Sequence, residues 1–289
     1  MYREILDHLN LRPGQRIVDC TAGTGGHALG IAAAIGPSGY YIGIDRDADS
    51  LHVAQNNVRE FADHCCLVHD DFRNIDTILD TLHIRFVDGI IFDLGISSYQ
   101  LDSPERGFSI KYDGPLDMRM DKNSYISAYD LINSLSEREI SAILKNFGQE
   151  RWHHRIANRL VHSRVAHPIT STSELSQAVI KAIPNRYQHQ KIHPATRTFQ
   201  AFRIAVNREL EALEIALDKS AQYLKKGARI CVISFHSLED KIVKEKFRHF
   251  AKEGVFALIT KKPARTSDDE MERNPRSRSA RLRVAEKIK

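Results

Sequence analysis

Short β-branched apolar runs alternate with stretches of helical spacing through the first hundred residues, and the alternation itself predicts the architecture. Ile5, Leu6 and Leu9 mark a short amphipathic helix over 2–11, broken by Pro13-Gly14. A first strand, 16–21, runs into Ala22-Gly23-Thr24-Gly25-Gly26-His27, and a helix over 28–35 follows, stopped by Gly36-Pro37. The second strand, 40–44, ends on Asp45; a helix over about 47–60 and a third strand around 66–69 come next, then Asp70-Asp71-Phe72. A fourth strand, 87–92, is apolar from Gly89 and delivers Asp93, a glycine and two hydroxyls. Strands and helices alternating at this spacing predict an α/β fold with a doubly wound, mostly parallel sheet.

Beyond Asp121 the pattern changes. Ser136–Glu139 and Ser171–Glu174 read as capping boxes, and Trp152, Ile156, Leu160 and Val161 mark one face of a helix over 151–164. No strand pattern occurs between 122 and 195, so this part is expected to be a helical module inserted into the α/β domain. A long helix from about Ala195 carries Phe199, Phe202, Val206, Leu210, Leu213 and Leu217 along one side and is expected to stop at Gly227. A fifth strand (228–233), a helix (about 239–251) and two last strands (near 255–260 and 280–285) bring the expected sheet to seven strands. The domain division expected is 1–103 with 198–289, and 104–197 as the insertion. The turn-rich, charged run 104–121 reads as a loop lining a site rather than as core.

Composition narrows the class. The chain has 289 residues, about two domains' worth, with 42% hydrophobic and 27% charged residues, enough to bury a sizeable core. A net charge of +5 leans only weakly towards a nucleic-acid partner; its distribution says more. Residues 261–289 are dense in Lys and Arg, and Arg186, Lys191, Arg197, Arg203 and Arg208 punctuate a second region. Cys20, Cys65, Cys66 and Cys231 lack C-x-x-C spacing and read as reduced thiols. The amino terminus is charged from its third residue, unlike a signal peptide, and no apolar run approaches the ~20 residues of a membrane span. A cytoplasmic location is expected, with monomer and homodimer both open.

The chemistry concentrates where strands end. Gly23, Gly25 and Gly26 present free backbone amides at a helix start, and Asp45, twenty residues past Gly25, can accept from ribose hydroxyls. The pair points to an adenosine-type cofactor, which both nicotinamide dehydrogenases and S-adenosylmethionine (SAM) enzymes use. Asp93 suits either of two roles: orienting an amine acceptor, or binding the methionine amino group of SAM. An exocyclic base amine is a weak nucleophile because its lone pair is delocalised, so acceptors that localise and aim it are needed. Ser97, Ser98 and Gln100 follow directly. His153, His154 and His189 read as surface or packing residues, and no histidine or cysteine cluster has metal-site spacing. His236 ends the fifth strand on the ligand side. Arg197, Arg203 and Arg208 recur at helical spacing, as a phosphate-tracking face or a solvated one.

Seven runs carry a resemblance: 93–98, 100–109, 113–121, 193–200, 203–207, 234–240 and Asn274-Pro-Arg-Ser-Arg-Ser-Ala280. Together, in order and over nearly the whole chain, they closely resemble the bacterial RsmH (MraW) family of SAM-dependent methyltransferases, which act on N4 of cytosine 1402 in 16S ribosomal RNA. The resemblance implies a class I, Rossmann-like methyltransferase fold and SAM contacts at Gly25, Gly26, His27, Asp45, Phe72, Asp93 and Gln100. It also implies an RNA-binding role for the insertion and the small ribosomal subunit as partner. Asp93, Ser97 and Ser98 are then expected to orient the cytosine amine, with Arg106, Asp117, Arg119, Arg197, Asn207 and His236 on the RNA side. Family members begin with a His-x-Pro-Val-type segment before the counterpart of Glu4-Ile5-Leu6, which this sequence does not contain. Two other readings stand beside it: an NAD-dependent dehydrogenase using the same glycines and Asp45, and a ribosome-assembly factor that binds rRNA without transferring a methyl group.

Overall fold

The computed structural model describes residues 1–188 and 192–289, so His189 and Lys191 lie outside the described residues. The chain forms two compact units, residues 1–95 with 210–289, and residues 96–209.

The first unit is built on one sheet, whose strands are β1 (Arg16–Asp19), β2 (Tyr40–Asp45), β3 (Cys65–His69), β4 (Val87–Asp93), β5 (Leu224–Ser234), β6 (Phe256–Leu258), β7 (Ala264–Arg265) and β8 (Arg281–Lys287). Their order is β3-β2-β1-β4-β5-β8-β6, with β7 attached to β8. The first five strands pair in parallel, and β8 runs antiparallel to β5, β6 and β7. The seven expected strands thus form the path, and the two-residue β7 is an addition. Alternate residues face opposite cores: Val18, Ile42, Ile90 and Ile230 one, Ile17, Tyr41, Ile91 and Cys231 the other. Burial on both faces is why these strands read as unbroken apolar runs.

Two elements depart from the expected pattern. The helix Ile75–Thr81 buries Ile75, Ile78 and Leu79 but is only seven residues long, too short to show a helical period. The long helix is in fact two, Thr196–Asn207 and Glu209–Tyr223, separated at Arg208, which takes a left-handed φ of 49°. Gly227 stops no helix. It lies inside β5 at φ 82°, where the pairing shifts from Val87–Leu224 to Gly89–Arg229, and a glycine accommodates that irregularity without strain.

The second unit packs the helices Ala128–Ser134, Glu137–Gly148, His153–Ala166, Thr172–Ala182 and Thr196–Asn207 around their own core. Both expected capping boxes form, and two more join Ser97 to Gln100 and Ser127 to Asp130. This unit is wider at both ends than 104–197, because Ile96, Leu101, Phe199 and Phe202 contribute to its core. The reading of 104–121 as poor core material is corrected. Phe108, Leu116, Met118 and Met120 are buried in that core, while the polar residues between them satisfy the turning backbone. All four cysteines are free, and no helix among the described residues is long and apolar enough to cross a membrane.

Candidate active site

Strand order reverses between β1 and β4, and in open α/β sheets ligands bind beyond the carboxyl ends of the strands at such a point. Asp19, Asp45 and Asp93 close the three strands around it. Asp19 is fully buried and accepts from the Tyr41 hydroxyl at 3.0 Å and from Thr21, through its N–H at 3.0 Å and its hydroxyl at 3.3 Å. Burial raises its pKa, against the opposing pull of His27 and these hydrogen bonds. The Thr21 hydroxyl also accepts the Asp93 N–H at 2.6 Å, so one hydroxyl ties the end of β4 to the carboxylate of β1.

Asp93 in turn lies 3.2 Å from the His27 ring, Oδ2 to Nε2. Burial alone would lower the His27 pKa. The hydrogen bond and charge of Asp93, with the charge of Asp19, outweigh it and leave the pKa raised. His27 precedes the helix Ala28–Ile35 and stacks on Tyr2 at 5.8 Å.

The glycine loop is held from the second strand. Asp45 Oδ2 accepts the Gly23 N–H at 2.7 Å and Oδ1 accepts the Asp47 N–H at 2.9 Å. Burial pushes its pKa up to about 6, moderated by those two bonds and raised further by Asp47 and Asp19. Gly25 has φ 86° and passes so close to the helix Ala48–Asn57 that a Cβ would meet Ala54 at 3.4 Å, whereas a Cβ on Gly26 would meet open space. Phe72 follows Asp71 and meets Phe92 edge-on at 5.6 Å. This site fits a ligand that brings both donors and acceptors: Asp93 Oδ1, which accepts, and His27 Nδ1, which donates from the charged ring, are buried with no hydrogen-bond partner among the described residues, and the loop leaves room beside Gly26. Buried polar atoms of this kind are costly unless something pairs with them.

Sequence reasoning missed Asp19, Thr21 and Tyr41. A carboxylate closing an apolar strand was a readable signal for Asp19. Nothing in the sequence marks the hydroxyl of Thr21, whose partner lies 72 residues away.

The remaining expected site residues, His236 apart, belong to the second unit. Ser97 and Gln100 form the capping box of the short helix Ser98–Asp102, with Ser97 Oγ accepting the Gln100 N–H and Gln100 Oε1 accepting the Ser97 N–H; Ser98 is exposed. Arg106, expected on the RNA side, is corrected. It is 2% exposed, and its guanidinium donates to the carbonyls of Arg119 and Met120 at 3.0 and 2.8 Å. Asp117 and Arg119 pair bidentately at 2.7 Å, and Arg119 also donates to the carbonyls of Lys122 and Ser124. Burial would raise the Asp117 pKa, but the hydrogen bonds and charge of Arg119 and the charge of Arg106 leave it lowered. Asn207 is buried, accepting the Met120 N–H at 2.8 Å and donating to the Met118 carbonyl at 2.7 Å. Gly107, with φ 69°, completes this lock, since a Cβ there would sit 2.2 Å from the Pro115 carbonyl oxygen. These side chains hold the segment's backbone together.

Arg197 is exposed and donates to the Gln149 carbonyl at 3.4 Å, whereas Arg203 pairs bidentately with Glu209, so the arginines do not form one solvated face. His236, in the first unit, caps the helix Ser237–Lys252 and forms a box with Glu239.

A parallel sheet with this switch point, a glycine loop after β1, acids closing β2 and β4 and an antiparallel β8 define a class I SAM-dependent methyltransferase. The profile of the MraW methylase family matches residues 1–288, and the chain belongs to that family. It is 44% identical to "Ribosomal RNA small subunit methyltransferase H" of Halothermothrix orenii, with all of this chain and 97% of that protein aligned. The protein of the same name from Clostridium botulinum (strain Kyoto / Type A2) is 45% identical, again over all of this chain and 97% of that one. The crystal structure of a candidate rRNA-methylase from Clostridium thermocellum shares the fold, with TM-score 0.50, 14% identity and coverage of 99% of this chain and 95% of that one. SAM is the cofactor.

Proposed function

We propose that the protein methylates the exocyclic N4 of cytosine 1402 in the 16S rRNA of the small ribosomal subunit, as an rRNA (cytosine-N4-)-methyltransferase working in the cytoplasm. The observation that carries the chemistry is Asp93. One carboxylate oxygen is engaged by His27, while the other is buried and unpaired at the end of β4, beside the glycine loop. The relatives' names supply the substrate class. SAM supplies an electrophilic methyl group on its sulfonium sulfur.

Gly25, Gly26, His27, Asp45, Phe72 and Gln100 hold the cofactor: Asp45 accepts from ribose hydroxyls, the loop amides line the binding crevice, and Phe72 offers an apolar wall. Asp93 accepts a hydrogen bond from the cytosine amine, and Ser97 and Ser98, four and five residues further along, complete its orientation. An acceptor on the N–H group increases lone-pair density on nitrogen and aims it, which a delocalised amine requires. The proton the amine sheds on methylation has a path to the Asp93–His27 pair, and Asp19 behind it favours the charged imidazolium. Arg197 and His236 stay assigned to the RNA side. Arg106, Asp117, Arg119 and Asn207 serve it by shaping the segment 104–121.

The test is transfer of labelled methyl from SAM to small subunits lacking the modification, beside free 16S RNA, with mass mapping of the product. Label on N4 of cytosine 1402 supports the proposal. Label on another base, or none on either substrate while SAM binds, overturns it.

A further inference from the structure

Trp152 is the only tryptophan of the chain. It stands just before the helix His153–Ala166, and its ring centroid lies 5.4 Å from that of Tyr187, tilted by 49°, in the turn Asn185–Tyr187. Both rings are half-buried, with their inner sides packed on the core of the second unit. Three exposed arginines gather over them. Arg151 stands 5.2 Å from the Trp152 ring and 5.7 Å from that of Tyr187, Arg155 is 5.8 Å from Trp152, and Arg186 is 4.8 Å from Tyr187.

None of these three arginines forms an ion pair among the described residues; the one carboxylate beside them in the sequence, Glu150, is buried and accepts the Trp152 N–H at 2.8 Å. Three positive charges beside one buried carboxylate leave an excess of positive charge at this surface, which an anionic partner relieves. Aromatic faces beside guanidiniums are also what unpaired bases stack on while their phosphates meet the positive charge. Base-paired RNA offers phosphates but hides its base faces. We infer that Trp152, Tyr187, Arg151, Arg155 and Arg186 form a stacking platform for unpaired nucleotides of the RNA substrate. The inference rests on the RNA-methyltransferase reading and extends it to a surface built entirely within the helical unit.

Because no other tryptophan is present, Trp152 emission reports this surface directly. The full chain, loaded with SAM, would be titrated with a ten-nucleotide unstructured oligouridine RNA over a range of salt concentrations. An RNA duplex, inorganic polyphosphate and anionic vesicles would serve as competitors. Wild type would be compared with the double variant Arg151→Gln/Arg186→Gln, whose exposed positions leave the fold intact, as an unchanged SAM affinity would verify.

Single-stranded RNA should quench Trp152 more strongly than duplex or polyphosphate. The double variant should bind it roughly tenfold more weakly, with a log–log salt slope shallower by about 1.4. Quenching by polyphosphate or vesicles equal to that by RNA would overturn the platform in favour of a charge-only surface. So would an absence of quenching by RNA, or unaltered affinity in the double variant. Methyl transfer to small subunits, measured in parallel, separates the two levels. Transfer without quenching removes the platform and leaves the proposed function. Quenching lost in the double variant, without transfer by wild type, supports the platform while removing the proposed reaction.

Discussion

Asp45→Asn is the substitution whose outcome the structure constrains most tightly. The wild-type carboxylate accepts two backbone N–H groups, from Gly23 and Asp47, yet burial still pushes its pKa from 3.8 up to about 6. A folded-state pKa above the unfolded value means that the folded protein holds the proton more tightly. The stability contributed by this group is therefore fully present below 3.8 and is lost as pH rises through about 6. Between pH 7 and pH 5 wild type gains about 1.4 kcal/mol from this group alone, one pKa unit's worth of free energy. Asparagine does not titrate. It retains a single carbonyl oxygen, so one of the two amides loses its acceptor, at a cost of about 1–3 kcal/mol.

Urea unfolding of both proteins at pH 7 and pH 5 measures the effect, because titrations common to both cancel in the difference. The stability gap should widen by about 1.4 kcal/mol on acidification. A gap constant to within ~0.3 kcal/mol would refute the raised pKa and the burial from which it comes. In calorimetry with SAM at pH 7, Asp45→Asn should weaken binding about tenfold or more, since a hydrogen bond to an ionised acceptor is lost. Unchanged cofactor affinity would remove Asp45 from the cofactor site.

Three further outcomes follow from the same geometry. Asp93→Asn should abolish methyl transfer and shift the His27 titration, read by NMR, to lower pH, because the carboxylate charge that opposes burial, and that strengthens the hydrogen bond, is gone; an unmoved titration would disconnect the pair. Thr21→Val leaves the Asp93 N–H without its acceptor and should cost about 1–3 kcal/mol in stability, together with methyl transfer, both rescued by Thr21→Ser; a valine variant as active as wild type would remove Thr21 from the positioning of Asp93. Arg106→Ala should lower stability by about 2–4 kcal/mol through two orphaned carbonyls and a cavity, whereas Arg197→Ala on the exposed surface should stay within about 0.5 kcal/mol and alter only RNA binding; equal stability effects in thermal melts would contradict the burial difference.

What the sequence determined by itself was the local grammar. Apolar runs bounded by turn residues located the parallel strands, the cofactor loop announced itself by its glycines, and serine–glutamate spacings placed two helix starts. Each of these signals comes from residues a few positions apart, where backbone geometry alone decides which groups meet. The fate of the polar residues in 104–121 was decided by packing. Arg106, Asp117, Arg119 and Asn207 look like substrate contacts in a string of letters. In the fold Arg106 is buried on backbone carbonyls, and Asn207 closes the same segment from 87 residues away. The break at Arg208 and the placement of Gly227 inside β5 likewise depend on where the chain must turn and pair, which propensity does not encode. The linkage of Asp19, Thr21, Asp93 and His27 exists only because β1 and β4 lie side by side, so its chemistry became visible only once the sheet order was known.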